Sequence, residues 1–315
     1  MYKLHTLIFI ALAGLAAQLV DGGLGMGFGV TSTTIIVLLA GLGPAQASAV
    51  VHTAELGTTL ASGLSHWRFG NVDWKTVARI AIPGAVGSFT GATVLSNLST
   101  EWAKPAMGLI LSLIGLNLMI RFSRGRARRT NPAPHSPVFL SGLGVFGGFV
   151  DATGGGGWGP VTTSTLMSAG RSEPRRIVGT VNTAEFFVTF AATVGFAIGM
   201  WEDLVANLAA VVALLIGGVI AAPLAAWLIS RINPILLGGI VGTLILMLNL
   251  PTVLKAVGVT DHLWIARAAV LVIGLALSAR GVARARANSL AASEKEGHSA
   301  ALDPEVEDAG VSAGR

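Results

Sequence analysis

Residues 151–160 read Asp-Ala-Thr-Gly-Gly-Gly-Gly-Trp-Gly-Pro, and residues 21–29 read Asp-Gly-Gly-Leu-Gly-Met-Gly-Phe-Gly. Each stretch follows an apolar block and precedes several Thr and Ser residues. Glycine runs interrupt a helix, and Pro160 suits the first turn of the helix that follows. Each stretch is therefore predicted to be the tip of a broken-helix hairpin whose two ends lie on the same side.

The two stretches belong to an internal repeat with an offset of 130 residues. Between residues 14 and 61, fourteen of 48 positions are identical to the residue 130 further on. The identities include two acids, one proline and four glycines. Apolar composition alone does not produce such matches, and transporters are often built from internal repeats.

The composition places the chain in a membrane. Of its 315 residues 52% are hydrophobic and 12% are charged, and the mean hydropathy is +0.71. Soluble domains carry about 25% charged residues. Several nearly uncharged stretches approach the ~20 residues that a helix needs to cross a bilayer. The chain has no Cys, which excludes disulfides and thiolate sites, and no metal or cofactor is predicted.

The net charge of +5 comes from short basic loops rather than from a nucleic-acid-binding face. These loops match the positive-inside pattern of membrane proteins, and no nucleic-acid partner is predicted. The arginine clusters are Arg121, Arg124, Arg126, Arg128 and Arg129; Arg171, Arg175 and Arg176; and Arg280, Arg284 and Arg286. If all three clusters face the cytoplasm, the first hairpin enters from outside and the second from inside.

The predicted fold is an all-α polytopic membrane protein with an inverted repeat. Each copy is a Gly-rich broken-helix hairpin followed by three transmembrane helices, and one extra helix follows the second copy. Seven crossings and two hairpins are expected, or about eleven segments if every apolar block is counted. The expected divisions are residues 1–122 for repeat 1, 123–136 for a basic cytoplasmic linker, 137–250 for repeat 2, 251–283 for the extra helix and 284–315 for a disordered cytoplasmic tail.

The hairpin tips are the candidate substrate site. Free backbone N–H groups at a helix N-terminus favour an anion, and neighbouring hydroxyls add hydrogen-bond donors. The alternative is that the glycines only allow close helix packing. The candidate substrate-binding residues are Gly25, Gly27, Gly29, Thr31, Thr33, His52, Gly155, Gly157, Gly159, Thr162, Thr163 and Asn182.

Acids at membrane depth form the second candidate group, since they often mark ion or proton paths. Asp21 and Asp151 are one repeat pair, and Glu55 and Glu185 are the other. Glu55 lies one turn after His52, and Glu185 lies one turn after Asn182. Proton coupling is predicted for these four acids. The alternative is that each acid caps a broken helix or binds the glycine loop.

Four stretches carry a resemblance to a known family: the two hairpin stretches quoted above, His52-Thr-Ala-Glu55, and Ser62-Gly-Leu-Ser-His-Trp-Arg-Phe-Gly-Asn-Val-Asp73. Together they resemble the sulfite exporter TauE/SafE family of anion transporters. The resemblance covers roughly residues 5–280. It implies export of small sulfur-containing anions, such as sulfite or the organosulfonate sulfoacetate, across a bacterial inner membrane. The resemblance also implies that this export is coupled to protons.

Two other classes of function remain as alternatives. A passive anion channel could use the same hairpins. An intramembrane enzyme is disfavoured, because the sequence has no His-Glu-x-x-His or Gly-x-Ser-x-Gly motif, and no catalytic residue is predicted. The sequence leaves the oligomeric state and the identity of the anion open. An N-terminal signal peptide is a further alternative, although the matching block at residues 138–150 favours a structural helix.

Overall fold

The computed structural model describes residues 4–24, 26–125, 134–169, 171–229 and 233–302, which are almost entirely helical. In this part of the chain, seven helices are long and apolar enough to cross a membrane. They are Leu4–Asp21, Trp74–Asn97, Thr100–Ser123, Pro137–Gly154, Arg176–Ala206, Ile235–Ala256 and Leu263–Ala291. The predicted class, an all-α polytopic membrane protein, is confirmed.

Both predicted hairpins are present as broken helices. In the first, helix α1 (Leu4–Leu24) is followed by α2 (Phe28–Ile35), which continues as a π-helical turn over Ile36–Ala40. In the second, α6 (Pro137–Gly154) is followed by a π-helical turn over Gly159–Thr163 and then by α7 (Ser164–Ala169). Positive φ angles occur at Gly27, Gly155 and Gly156, a conformation that glycine adopts readily.

The base of the second hairpin shows that both of its ends lie together. The Arg171 guanidinium donates a hydrogen bond of 2.8 Å to the Pro134 carbonyl, which links the residues before α6 and after α7. Partial burial, together with nearby Arg171, lowers the pKa of His135 at this base. The chain therefore enters and leaves this hairpin on one side.

The remaining helices follow each hairpin in the same order, and each hairpin lies against the other half of the chain. Helices α3, α4 and α5 follow the first hairpin, α8, α9 and α10 follow the second, and α11 comes last. Their bounds are Pro44–Arg68, Trp74–Asn97 and Thr100–Ser123; Pro174–Ala206, Leu208–Ile229 and Pro234–Ala256; and Leu263–Leu302. Helix α1 packs on α9 and α6 packs on α4, while α3 packs on α8 and α5 on α10.

Equivalent glycines make the two hairpin interfaces close. A Cβ at Gly14 would clash with the backbone of Leu214 in α9, and one at the equivalent Gly144 with the backbone of Ile80 in α4. Helix α9 contributes Gly217 in the same way that α4 contributes Gly87. Small residues let membrane helices approach closely, so these glycines have the packing role that the sequence also allowed.

Two expectations differ from the structure. The expected crossings included the segments that form α3 and α9 and left out the hairpin helices. The seven apolar helices of the described residues instead include α1 and α6 but neither α3 nor α9, whose apolar stretch Leu208–Ala221 is shorter. Helix α3 carries His52 and Glu55, which are buried against protein rather than lipid. The expected disordered tail is helical over residues 284–302, because its Ala, Arg, Glu and Lys residues favour a helix. Residues 303–315 lie outside the described part of the chain.

Two glycines of α6 allow a matched test of the α4–α6 interface. A Cβ at Gly148 would collide with the Gly84 carbonyl and come within 3.0 Å of the Ser88 nitrogen, whereas Gly142 has no heavy atom within 4 Å of its Cβ position. We expect Gly148→Ala to lower the unfolding temperature of the detergent-solubilised protein. Gly142→Ala should leave it unchanged or raise it, since alanine favours a helix by about 1 kcal/mol. Equal effects would contradict this packing.

Candidate functional site

The glycine-rich tips of the two hairpins meet each other. A Cβ at Gly29 would lie 2.5 Å from the Gly156 Cα and 3.0 Å from Glu55 Oε1. The Thr33 hydroxyl donates a hydrogen bond to the Gly155 carbonyl across the contact. At Gly159 a Cβ would lie 2.8 Å from the Met26 Cβ. Two breaks that are 130 residues apart in the chain thus form one buried junction, and side chains larger than hydrogen do not fit there.

Asp151 caps the second break. Its Oδ1 accepts hydrogen bonds from the backbone N–H groups of Gly157, at 2.6 Å, and Trp158, at 2.8 Å. Asp21, its repeat counterpart, accepts a hydrogen bond from the Phe28 N–H. The predicted tip N–H groups are therefore occupied at Gly157 and Trp158 by a carboxylate of the chain itself, which is the capping role that the sequence left open.

The other oxygen of Asp151 pairs with His52 from α3. His52 Nε2 lies 3.1 Å from Asp151 Oδ2, and both side chains are almost completely buried. His52 Nδ1 lies 2.8 Å from the Ser48 carbonyl and 3.2 Å from the Ser48 hydroxyl. The Ser48 hydroxyl donates its own proton to the Ala152 carbonyl at 2.7 Å. Ser48 therefore presents only acceptors to Nδ1.

These contacts determine where a proton must lie. Since Nδ1 faces two acceptors, it carries a hydrogen, and neutral His52 would then present a lone pair at Nε2. An ionised Asp151 also presents only lone pairs. The 3.1 Å contact therefore requires one further proton, which is held either as imidazolium with carboxylate or as imidazole with carboxylic acid. The pair is a proton-holding unit between α3 and the second hairpin.

The four predicted acids lie close together around the junction. Glu55 interacts electrostatically with Asp151, Glu185 and Asp21, and Glu185 interacts with both aspartates. Glu55 and Asp151 are buried, whereas Asp21 and Glu185 are partly buried. The four carboxyl groups therefore form one electrostatically interacting cluster at the junction.

The threonine hydroxyls have different surroundings. Thr162 donates to the Trp158 carbonyl, so its proton is used within the hairpin. Thr33 bridges the two tips, as described above. The hydroxyls of Thr163 and Thr31 are buried and have no hydrogen-bond partner in the described part of the chain. Thr31 and Thr163 are therefore the candidate threonines whose donors remain open to a ligand.

The other candidate residues are partly dispersed. Asn182 donates to the Ser62 hydroxyl at 3.0 Å and links α8 to α3, so its amide serves a helix contact rather than a tip. Gly27 precedes α2 with a φ of 117°, which is a conformation that favours glycine. Gly25 lies outside the described residues.

Several residues around the junction were not singled out from the sequence. Trp158 is completely buried, and its indole donates to the Val181 carbonyl at 3.0 Å, which anchors the second tip to α8. Trp158 lies inside the glycine motif, and this position is the sequence feature that could have identified it as a residue of the junction. Ser48 and Ser164 lie among many small residues and give no such signal. In the described part of the chain, no group of three His, Cys, Asp or Glu side chains could hold a metal ion.

The buried cap at Asp151 can be compared with an accessible one. Asp73 also accepts hydrogen bonds from two backbone N–H groups, those of Lys75 and Thr76, at 3.1 and 3.2 Å. Asp73→Ala should cost about 1 kcal/mol of stability, as for an ordinary N-cap. Asp151→Ala should cost roughly 2 kcal/mol more, because two donors and His52 lose their partner in a buried site. Unfolding in detergent measures both variants, and equal losses would argue against a fully buried cap.

Comparison with known proteins agrees with this architecture. The family model described as "Sulfite exporter TauE/SafE" matches residues 10–252. "Probable membrane transporter protein YtnM" of Bacillus subtilis (strain 168) is 48% identical over 267 residues, which cover 84% of this chain and 86% of the relative. "Probable membrane transporter protein YjnA" of the same organism is 25% identical over 197 residues, covering 59% of this chain and 77% of the relative.

No solved structure matches the chain significantly. The family and both relatives are described as transporters or exporters and not as enzymes. The family match covers more than half of the chain, and the first relative covers most of both sequences. The chain is therefore a multi-pass membrane protein that belongs to the sulfite exporter TauE/SafE family and transports anions.

Proposed function

We propose that this protein is a proton-coupled secondary transporter that exports small sulfur-containing anions across a bacterial inner membrane. Sulfite is the first substrate candidate because of the family description. Organosulfonates such as sulfoacetate share its charged sulfur–oxygen group. The junction of the two hairpin tips is the proposed substrate site, and the transport cycle is alternating access between the two halves.

The acid cluster at the junction is the observation that supports proton coupling. Asp21, Glu55, Asp151 and Glu185 surround the place where the tips meet. An anion that enters this place is repelled by every ionised carboxylate, and the repulsion is strong because water is excluded. Protonated carboxyl groups instead donate hydrogen bonds to the anion. Anion and proton therefore bind together, which is the physical basis of coupling.

The donors available to the anion differ between the tips. The N–H groups of Gly157 and Trp158 are occupied by Asp151. The buried hydroxyls of Thr31 and Thr163 are the proposed direct donors. In this scheme Glu55 donates after it gains a proton, and its Oε1 lies beside Gly29. His52 contributes through Asp151, with which it shares the proton described above.

The arrangement of the halves supports alternating access. Each hairpin packs on the other half of the chain, through α1 with α9 and α6 with α4. The proposed inverted orientation rests on the arginine-rich loops and gives the two hairpins opposite entry sides. Movement of one hairpin with its supporting helix then opens the junction to one side, as in other repeat-built transporters.

Flux through proteoliposomes tests the coupling. We expect an imposed pH gradient to drive sulfite transport by the wild type. Glu55→Gln and Glu185→Gln should reduce this gradient-driven flux at least about tenfold, because an amide carries no exchangeable carboxyl proton. Sulfoacetate, thiosulfate and sulfate compared in the same vesicles define the substrate class.

Two exposed acids provide matched controls. Glu101→Gln and Glu202→Gln change the charge by the same amount at exposed positions near helix ends, and should transport normally. Flux that ignores both the gradient and the two buried glutamates would contradict proton coupling and favour the passive channel. Absence of flux for all four anions would contradict the proposed substrate class.

The inverted orientation has its own test, since the chain contains no cysteine. Single cysteines at the exposed positions Arg124 and Glu202 should react with a membrane-impermeant thiol reagent from opposite sides. We expect Arg124→Cys to be labelled in inside-out vesicles and Glu202→Cys in intact cells. Labelling of both from one side would overturn the orientation.

A further inference from the structure

Arg121 reaches from α5 to both hairpins. Its guanidinium donates a hydrogen bond to the Ser164 hydroxyl at the start of α7. Its Nη1 also lies 3.6 Å from the sulfur of Met26, which belongs to the tip of the first hairpin. Met26 and Ser164 are buried, while Arg121 is partly buried. The sequence alone assigns Arg121 to a basic loop, whereas the structure places its charge beside the junction.

On the other side of the junction, the equivalent contact within the described residues is made by a neutral amide. Thr34 is the repeat counterpart of Ser164, and its hydroxyl accepts a hydrogen bond of 3.2 Å from the Asn249 amide. Asn249 lies on α10, the counterpart of α5. Helix α5 of the first half thus contacts Ser164 of the second hairpin, and α10 of the second half contacts Thr34 of the first hairpin. Both hydroxyls follow a broken tip. One contact carries a guanidinium and the other carries a neutral amide.

We infer that Arg121, together with Ser164, binds the transported oxyanion on the cytoplasmic side of the junction. Arginine keeps its charge and presents a planar set of donors that matches the oxygens of a sulfur oxyanion. Its partners in the structure include a hydroxyl and a thioether, and a thioether is a weak acceptor that an oxyanion readily replaces. The inference rests on the proposed function and names the residue that recognises the substrate.

The asymmetry gives the site a direction. In the proposed orientation the base of the second hairpin faces the cytoplasm, so Ser164 lies between the tips and the cytoplasm. Thr34 and Asn249 occupy the corresponding place toward the outside. An anion arriving from the cytoplasm therefore meets the fixed positive charge of Arg121, whereas the corresponding contact toward the outside is made by the neutral Asn249 amide. This difference favours capture inside and release outside.

Arg121→Gln tests the inference, with Arg124→Gln as the matched control. Arg124 follows three residues later, is exposed, and loses the same charge on substitution. Sulfite uptake into inside-out vesicles presents the anion at the cytoplasmic face. We expect Arg121→Gln to raise the KM for sulfite about tenfold or more, with a smaller change in maximal rate, because a charged hydrogen bond is lost. Arg124→Gln should keep the wild-type KM.

The outcomes separate this inference from the proposed function. If the wild type transports sulfite and Arg121→Gln has the same KM as Arg124→Gln, the inference is wrong while the proposed function stands. If the wild type transports none of the four sulfur anions named above, the proposed function itself fails. If Arg121→Gln does not insert, Arg121→Lys decides, since lysine keeps the charge without the planar set of donors. A KM raised several fold supports the inference, and an unchanged KM overturns it.

Discussion

A helix that breaks inside a membrane exposes backbone groups that hydrocarbon cannot satisfy, and this constraint governs the centre of the molecule. The second break is stabilised by Asp151, which accepts hydrogen bonds from Gly157 and Trp158. A buried carboxylate in turn needs a positive or proton-bearing partner, which His52 supplies. Backbone satisfaction and proton holding are thus two consequences of one side chain.

The same constraint explains why the halves interlock. His52 belongs to α3, yet its partner Asp151 belongs to the second hairpin, and Ser48 of α3 donates to the Ala152 carbonyl. The Thr33 hydroxyl of the first hairpin donates to Gly155 of the second. Neither hairpin satisfies its polar groups alone. In the proposed alternating-access cycle, a change in protonation at the junction would therefore act on contacts between the halves.

The fold was predictable to a large extent because its signals are local and repeated. Glycine runs beside an acid, the offset of 130 residues and the long apolar blocks indicated two hairpins and a polytopic helical protein. Of the four acids that the sequence singled out, Glu55 and Glu185 interact electrostatically with each other and with both aspartates, while their role in proton coupling stays a prediction. The roles of individual polar residues at the site were less predictable. Asn182 pairs with Ser62 rather than with an aspartate, and nothing in its sequence position distinguishes it from His52.

The sequence by itself determined that this chain lies in a membrane, breaks two helices at glycine and repeats its architecture. Composition and glycine positions act through the local backbone, so they can be interpreted without the fold. Only the tertiary structure decided which donors Asp151 occupies, which tautomer Ser48 imposes on His52, and that Arg121 reaches the junction. The Arg121–Ser164 contact joins residues 43 positions apart, and the Ser48–Ala152 contact, which uses the proton of the Ser48 hydroxyl, joins residues 104 positions apart. The sequence does not reveal such contacts, because hydrogen-bond partners are determined by distance in space and not by separation along the chain.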